Sequence, residues 1–249
     1  MSGHSKWATI KRKKAATDAA RGKTFTKVIK EITIAARQGG GDPEGNPRLR
    51  TAILAAKSVN MPAGNIDRAI KKGTGELGGA LIEEAHYEGY APGGVALLVE
   101  VATDNRNRTS GDIRSILTRY GGNMAEAGSV SYLFKPRGLI VVDKSAVAED
   151  TLIEAALEAG ADDVSAEGDV YEVLTPTSLL ETVREALVAR QIAIHSAEAT
   201  KLASLTVPID DSRAASVFRL IEALEDHDDV QKVYANYSVS DELLAKLAQ

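Results

Sequence analysis

A chain of 249 residues, 44% apolar and 26% charged, has the composition of a globular protein with room for two or three domains. It holds no cysteine, which excludes disulfides, thiolate metal sites and a cysteine nucleophile. No apolar run nears the roughly 20 residues of a membrane-spanning helix, and the N-terminus, charged from Lys6 onward, has no apolar stretch of a secretory signal, so a cytoplasmic protein without membrane contact is expected.

The first 80 residues predict helices. From Thr24 to Arg37, Phe25, Val28, Ile29, Ile32 and Ala36 recur at helical spacing on one face, with Lys23, Lys27, Lys30 and Arg37 on the other. Gly39-Gly40-Gly41 stops this helix. Asn46-Pro47 starts the next, with Asn as N-cap and Pro at the first helical position; Leu49, Ile53 and Ala56 follow on one face. After Asn60-Met61-Pro62, a short helix with Ile66, Ala69 and Ile70 runs to Gly73-Thr74-Gly75. The break between these two helices is short enough for a helix-turn-helix, though such corners are common in plain bundles.

Beyond residue 80 the pattern changes. Val95–Val101 is a near-continuous apolar run of strand length, a helix carries Ile113, Ile116, Leu117 and Tyr120, and Val130–Phe134 reads as a strand. Far downstream Ala203–Val207 reads as a strand, Val217, Leu220, Ile221 and Leu224 as a helix, and Val230–Tyr237 as a strand. Between them lie a strand at Leu139–Val142, a helix at Thr151–Ala159, a hairpin of Val164–Ala166 and Val170–Leu174 around Glu167-Gly168-Asp169, a helix from Pro176 through Val188, and a last strand beginning over Ile192–Ala197. That β–α–β–β–α–β order is the ferredoxin-like split motif. The expected architecture is therefore α+β. A three-helix domain over 1–80 precedes two αβ domains, one discontinuous (81–137 plus 204–249) and one ferredoxin-like and inserted into it (138–203).

Three separated strings carry a family resemblance. They are Met1-Ser2-Gly3-His4-Ser5-Lys6-Trp7, then Asn60-Met61-Pro62 with Asn65-Ile66-Asp67-Arg68-Ala69-Ile70-Lys71-Lys72-Gly73, and Tyr87-Glu88-Gly89-Tyr90-Ala91-Pro92-Gly93-Gly94-Val95. Together they resemble the YebC/PmpR family, which includes mitochondrial translational activators. Ala91 stands where Gly is frequent in that family. The resemblance implies a three-domain cytoplasmic protein acting in gene expression. In some members that role is transcriptional regulation on DNA. In others it is translation on the ribosome, including relief of stalling at proline-rich stretches, with contact to ribosomal RNA or tRNA.

The charge pattern points the same way from the residues themselves. Residues 1–80 hold 16 Lys/Arg against 6 Asp/Glu, while residues 81–249 hold 14 against 29. A basic lobe on an acidic body suggests polyanion binding at one end, the body being turned away from phosphate. The density peaks in residues 1–30, where Lys6, Lys11, Arg12, Lys13, Lys14, Arg21, Lys23, Lys27 and Lys30 face one acid, Asp18. Such cations neutralise phosphates and release counterions, the main source of sequence-independent affinity for nucleic acid. Arg48, Arg50, Arg68, Lys71 and Lys72 extend the expected contact. A solvated basic face is the plainer reading of any one of them. Trp7, the lone Trp, is more simply a packing residue than a base-stacking one. Asp104-Asn105-Arg106-Asn107-Arg108 fits a helix cap as well as a contact loop. The ferredoxin-like region is a poor RNA platform, since its strands offer only Tyr171 and residues 138–205 hold 4 basic against 13 acidic side chains. It reads as a protein-contact domain.

No enzyme is expected. His4, His86, His195 and His227 show no metal-ligand spacing. No phosphate loop or nucleophile elbow occurs, and Asp162-Asp163, Asp210-Asp211 and Asp228-Asp229 read as turn or cap pairs. No cofactor is expected, and oligomeric state is left open. The expected function is a nucleic-acid-binding regulator of gene expression that binds DNA through its basic N-terminal domain. A ribosome-associated translation factor is the alternative, and a protein-interaction scaffold without nucleic-acid contact is the third reading.

Overall fold

The computed structural model describes residues 18–240. Three helices open it: α1 (Asp18–Gly39), α2 (Pro47–Ser58) and α3 (Ala63–Thr74). The expected apolar positions make one core, in which Ile32, Ala36, Leu49, Ala56, Ile66 and Ala69 are buried and Phe25, Val28 and Ile29 pack at its edge. Asn46 caps α2 as expected, its side chain accepting from the Leu49 amide at 3.1 Å, while its own amide group ties back to the carbonyls of Ala35 and Gly40. Both α2 and α3 pack on α1 rather than on each other. The helix pair is thus a bundle corner, without the mutual packing of a helix-turn-helix. A glycine makes the tightest contact possible: a Cβ on Gly73 would collide with the Thr33 carbonyl and with Ala36 of α1.

The body follows. Strands β1 (Glu83–Ala91) and β2 (Val95–Thr103) form a hairpin whose turn uses Gly93 and Gly94 at φ 86° and 77°, a region open to Gly. Helix α4 (Arg106–Arg119), the short β3 (Asn123–Met124), and later α7 (Asp211–Glu225) and β9 (Val230–Ala235) complete a sheet of order β3-β1-β2-β9. β2 is apolar from Val95 to Val99 because both of its faces are covered there. Leu97, Val99 and Val101 point to the core under α4 and α7, whereas Ala96 and Leu98 pack with Phe134 and Tyr234 on the other face.

Between β3 and the short β8 (Val207–Pro208) the chain forms a second sheet. Its elements are β4 (Phe134–Asp143), α5 (Glu149–Glu158), β5 (Asp163–Glu167), β6 (Val170–Thr175), α6 (Leu180–Ala189) and β7 (Ser196–Ala203). The strand order β5-β6-β4-β7, antiparallel at every step, is the ferredoxin-like arrangement. Ile140, Val142, Tyr171 and Val173 turn to one face, where α5 and α6 cover them. A parallel pair of β8 with β10 (Tyr237–Ser238) is the last strand pairing among the described residues.

Three expected strands differ. Val130–Phe134 is not a strand; Ser131–Leu133 is a 3₁₀ turn that leads into β4. The buried Glu88 carboxylate accepts the amides of Gly128, Val130 and Ser131 at 2.6–2.9 Å, taking donors that a strand ladder would need. Ala203–Val207 likewise breaks after Ala203: Ser204 donates to the Leu133 carbonyl, and the Asn236 side chain donates to the Leu205 carbonyl. Ile192 lies in the turn just past the end of α6, where Gln191 sits at φ 62° and the Ile192 amide returns to the Leu187 carbonyl; the strand itself starts at Ser196.

Candidate nucleic-acid interface

Lys6, Lys11, Arg12, Lys13 and Lys14, with His4 and Trp7, lie outside the described residues, and Arg21 is described only as part of the α1 backbone. The remaining predicted cations fall into two groups, and helical geometry decides which.

Lys23, Lys27 and Lys30 stand at i, i+4 and i+7, so they form a ladder along one face of α1. That face meets the end of α7 and the turn beyond it. The Lys23 ammonium is 3.1 Å from an Asp226 carboxylate oxygen, Lys27 donates to the Glu225 carbonyl at 2.8 Å, and Lys30 donates to the Asp228 carbonyl at 2.8 Å and to Asp229 Oδ1 at 2.6 Å. The last carbonyls of a helix lack intrahelical partners and carry the negative end of its dipole, so cations are favoured there.

Asp229 is the anchor of this contact. It is buried, and besides Lys30 its carboxylate accepts from Arg108 Nη2 at 2.9 Å, Thr109 Oγ1 at 2.7 Å and Thr103 Oγ1 at 3.2 Å. Burial by itself would raise its pKa, but the bonds from Lys30, Thr109 and Arg108 outweigh that and hold it well below the usual carboxylate range. Asn105 caps α4 by accepting from the Arg108 amide at 3.0 Å, so the 104–108 segment does act as a cap. The Asp228-Asp229 pair is more than a turn: one residue is exposed and the other joins α1, β2 and α4.

Arg48 is engaged as fully. Its guanidinium makes two bonds to Glu31, at 2.7 and 3.0 Å, one to Gln38 at 2.7 Å and two to Glu84, the shorter 2.6 Å. These bonds, from Glu31 above all, raise the Arg48 pKa, and Arg48 in turn lowers that of Glu84. Arg50 donates to the carbonyls of Pro43 and Glu44 and pins the loop before α2.

The second group lies on α3. Arg68, Lys71 and Lys72 are exposed, and their side chains make no hydrogen bond or ion pair with the described residues. The last turn of α3 presents the two lysines, and Lys57, exposed at the end of α2, adds a cation that the sequence reading passed over. Lys72 also lines a cleft of about 670 Å³ between α1 and the 225–229 turn, together with Lys23, Lys30, Arg108, Asp226 and Asp229. Among the described residues no cluster of His, Asp or Glu is placed to hold a metal ion, and no helix is long and apolar enough to cross a membrane.

The whole chain can be set beside known proteins. A family model described as the TACO1/YebC protein N-terminal domain matches residues 5–76, and one described as the TACO1/YebC second and third domain matches residues 82–237. A probable transcriptional regulatory protein of Desulfotalea psychrophila is 56% identical over 250 residues, covering 100% of both chains. One of Geobacter sulfurreducens is 57% identical over 247 residues, covering 99% of this chain and 100% of its own. The crystal structure of a conserved hypothetical protein from Aquifex aeolicus superposes with a TM-score of 0.82 at 49% identity, covering 91% of this chain and 94% of that one. These names point to regulatory rather than catalytic proteins, and with both family models spanning the chain from residue 5 to 237, this protein belongs to the TACO1/YebC family.

Proposed function

We propose that this protein is a regulator of gene expression that binds DNA through the phosphate backbone, using its basic first domain. The observation that carries the reading is the division of charge: 16 Lys/Arg against 6 Asp/Glu in residues 1–80, and 14 against 29 in the rest. An acidic body faces away from a polyanion and a basic lobe faces toward it. The names of the relatives, probable transcriptional regulatory proteins, agree with this role. Within the lobe, the contact comprises the 6–21 cluster together with Arg68, Lys71 and Lys72; the side chains of these last three are exposed and engage no partner among the described residues. The protein works without catalysis or cofactor and in the cytoplasm.

Crosslinking in growing cells, followed by sequencing of bound DNA and bound RNA, tests the reading. Discrete DNA sites upstream of genes are expected. Enrichment of ribosomal RNA or tRNA would make the chain a translation factor instead. A functional variant with Lys11, Arg12, Lys13 and Lys14 all replaced by Ala would leave only a protein scaffold. In vitro, neutralising about five duplex phosphates gives a slope of about −4.5 for log affinity against log salt, and Lys71→Ala should flatten it by about 1.

A further inference from the structure

The α1 lysines occupy a position suited to tracking a phosphate backbone, three cations on one helix face, yet each already holds an oxygen of the 225–229 segment. Those oxygens are carbonyls at a helix C-terminus and carboxylates, the same hard acceptors that phosphates offer. Three features show that this contact can be exchanged.

The first is the joint between α1 and the body. Among the described residues its buried apolar part is the small cluster of Ile34, Ile82 and Ala102, beside polar contacts: Arg37 to the Ile82 carbonyl, Gln38 and Arg48 to Glu84, and the ladder. A small polar interface leaves relative motion as the default. The second is the tether. Residues 75–81 are exposed, and Gly75 and Gly79 take φ of 86° and 145°, so the single connection is glycine-hinged. The third is Asp229. When Lys30 leaves, its carboxylate still has Arg108, Thr103 and Thr109, so opening strands no buried charge.

We propose that the acidic 225–229 turn is a built-in competitor for the α1 lysine ladder, so that the structure is a closed state and the phosphate backbone of a nucleic acid takes the ladder only when the three-helix unit swings off the body. This rests on the nucleic-acid reading above. It makes the ladder a second contact, reserved for ligands able to displace the turn, beside the cations of α3 that are open in the closed state.

The chain has no cysteine, so two introduced ones react uniquely. Thr26 and Asp228 line the same cleft; Thr26→Cys with Asp228→Cys, bridged by a short bismaleimide, locks the joint and keeps all three ladder contacts, because Asp228 takes part through its backbone carbonyl, and the same variant capped with N-ethylmaleimide is the control that remains free to open. Binding to a fluorescent DNA duplex is followed by anisotropy across a salt series. The locked form is expected to bind about tenfold more weakly, with a salt slope smaller by about 2.7, the share of three phosphate contacts. Equal affinity and slope in both forms overturn the competition and leave the functional reading standing. If neither the control nor the unmodified chain binds DNA or RNA, the functional reading falls and the competitor falls with it. As a second variant, Asp226→Asn with Asp228→Asn removes two exposed charges and spares Asp229. It should bind about threefold more tightly at low salt, and unchanged or weaker binding counts against the proposal.

Discussion

Between the two sheets the chain crosses twice, at Phe134 and at Ala203, and what the crossing encloses is apolar: Ala96, Leu98, Val130, Phe134 and Tyr234 are all buried there. The polar side chains at its edge pair with one another. Glu100 takes the Lys201 ammonium and the Tyr234 hydroxyl, and Lys232 meets Glu198 at 3.0 Å. Between α1 and the body the chain crosses once, through exposed residues, and the contact is mostly polar: ammonium and guanidinium groups on carboxylates and backbone carbonyls, with the Lys30–Asp229 pair buried and the Lys23–Asp226 and Arg48–Glu84 pairs partly exposed. Burial of apolar area is non-directional and survives salt; exposed ion pairs contribute little and yield to a competing ion. The first joint therefore fixes a shape, and the second fixes only a resting position.

Phe134 carries the largest share of the sheet-to-sheet joint. Its ring is buried and packs with Tyr234 at 6.3 Å between centroids. Phe134→Ala should cost about 3–5 kcal/mol, read as a drop in the urea midpoint. A loss below about 1 kcal/mol would mean that the sheet-to-sheet joint is as loose as the other.

Glu88 comes next. Its side chain is buried inside β1 and serves three backbone amides of the 128–131 turn, so Glu88→Ala leaves those donors unpaired and should cost about 2–3 kcal/mol. Burial opposes ionisation here, but the three amides prevail and keep its pKa below the ordinary 4.5. A carboxylate whose folded pKa lies below its unfolded one stabilises the fold fully above the unfolded value and ceases to do so as pH falls through the folded one. Stability is thus expected to hold steady down to about pH 5 and then fall, with Asp229 adding a further loss below its ordinary 3.8. Urea midpoints of Glu88→Gln should fall less steeply across pH 5 to 3 than those of the parent chain; parallel curves would remove Glu88 from the account.

At the other joint, Asp229→Asn keeps an acceptor but removes the charge that Lys30 and Arg108 share. About 2 kcal/mol is expected, mostly from weakened charge-assisted bonds in a buried place. The same substitution should raise hydrogen exchange in α1 relative to the sheet core, because it loosens the ladder without touching the apolar cores. Equal exchange throughout would make Asp229 a plain core residue.

How far the sequence showed this division can be judged from particular residues. The helices, the Asn46 cap and the ferredoxin-like order follow from local chemistry: 3.6-residue periodicity, a capping side chain, and a Gly168 turn between two alternating strands; the 104–108 segment read equally as cap or contact, and Asn105 is the cap. β1 beyond its turn was not legible, because its outward residues Glu83, Glu84 and His86 mask the alternation and its inward Glu88 looks like a surface residue until the 128–131 amides are seen around it. The basic stripe of α1 was legible as a stripe. What it touches was not, since Lys23, Lys27 and Lys30 meet residues about 200 positions away, and no local pattern marks Asp226 or Asp229 as their partners. Periodicity reports which face of a helix is wet; it does not report whether that face is later covered by another charged surface.

Lys23→Ala has the smallest expected effect on folding and separates the two joints most cleanly. The ammonium and its Asp226 partner are 42% and 67% exposed, so the pair should contribute no more than about 0.5 kcal/mol, and the urea midpoint should stay put. If the ladder exists only to hold α1 against the body, nothing else changes. If it is a contact that the 225–229 turn blocks, the variant loses about 0.9 from the salt slope of duplex binding while its stability stays at the parent value. A change in stability with no change in slope would assign Lys23 to the resting fold alone, and the α1 ladder would then be a joint of the same purpose as the apolar one, made from weaker contacts.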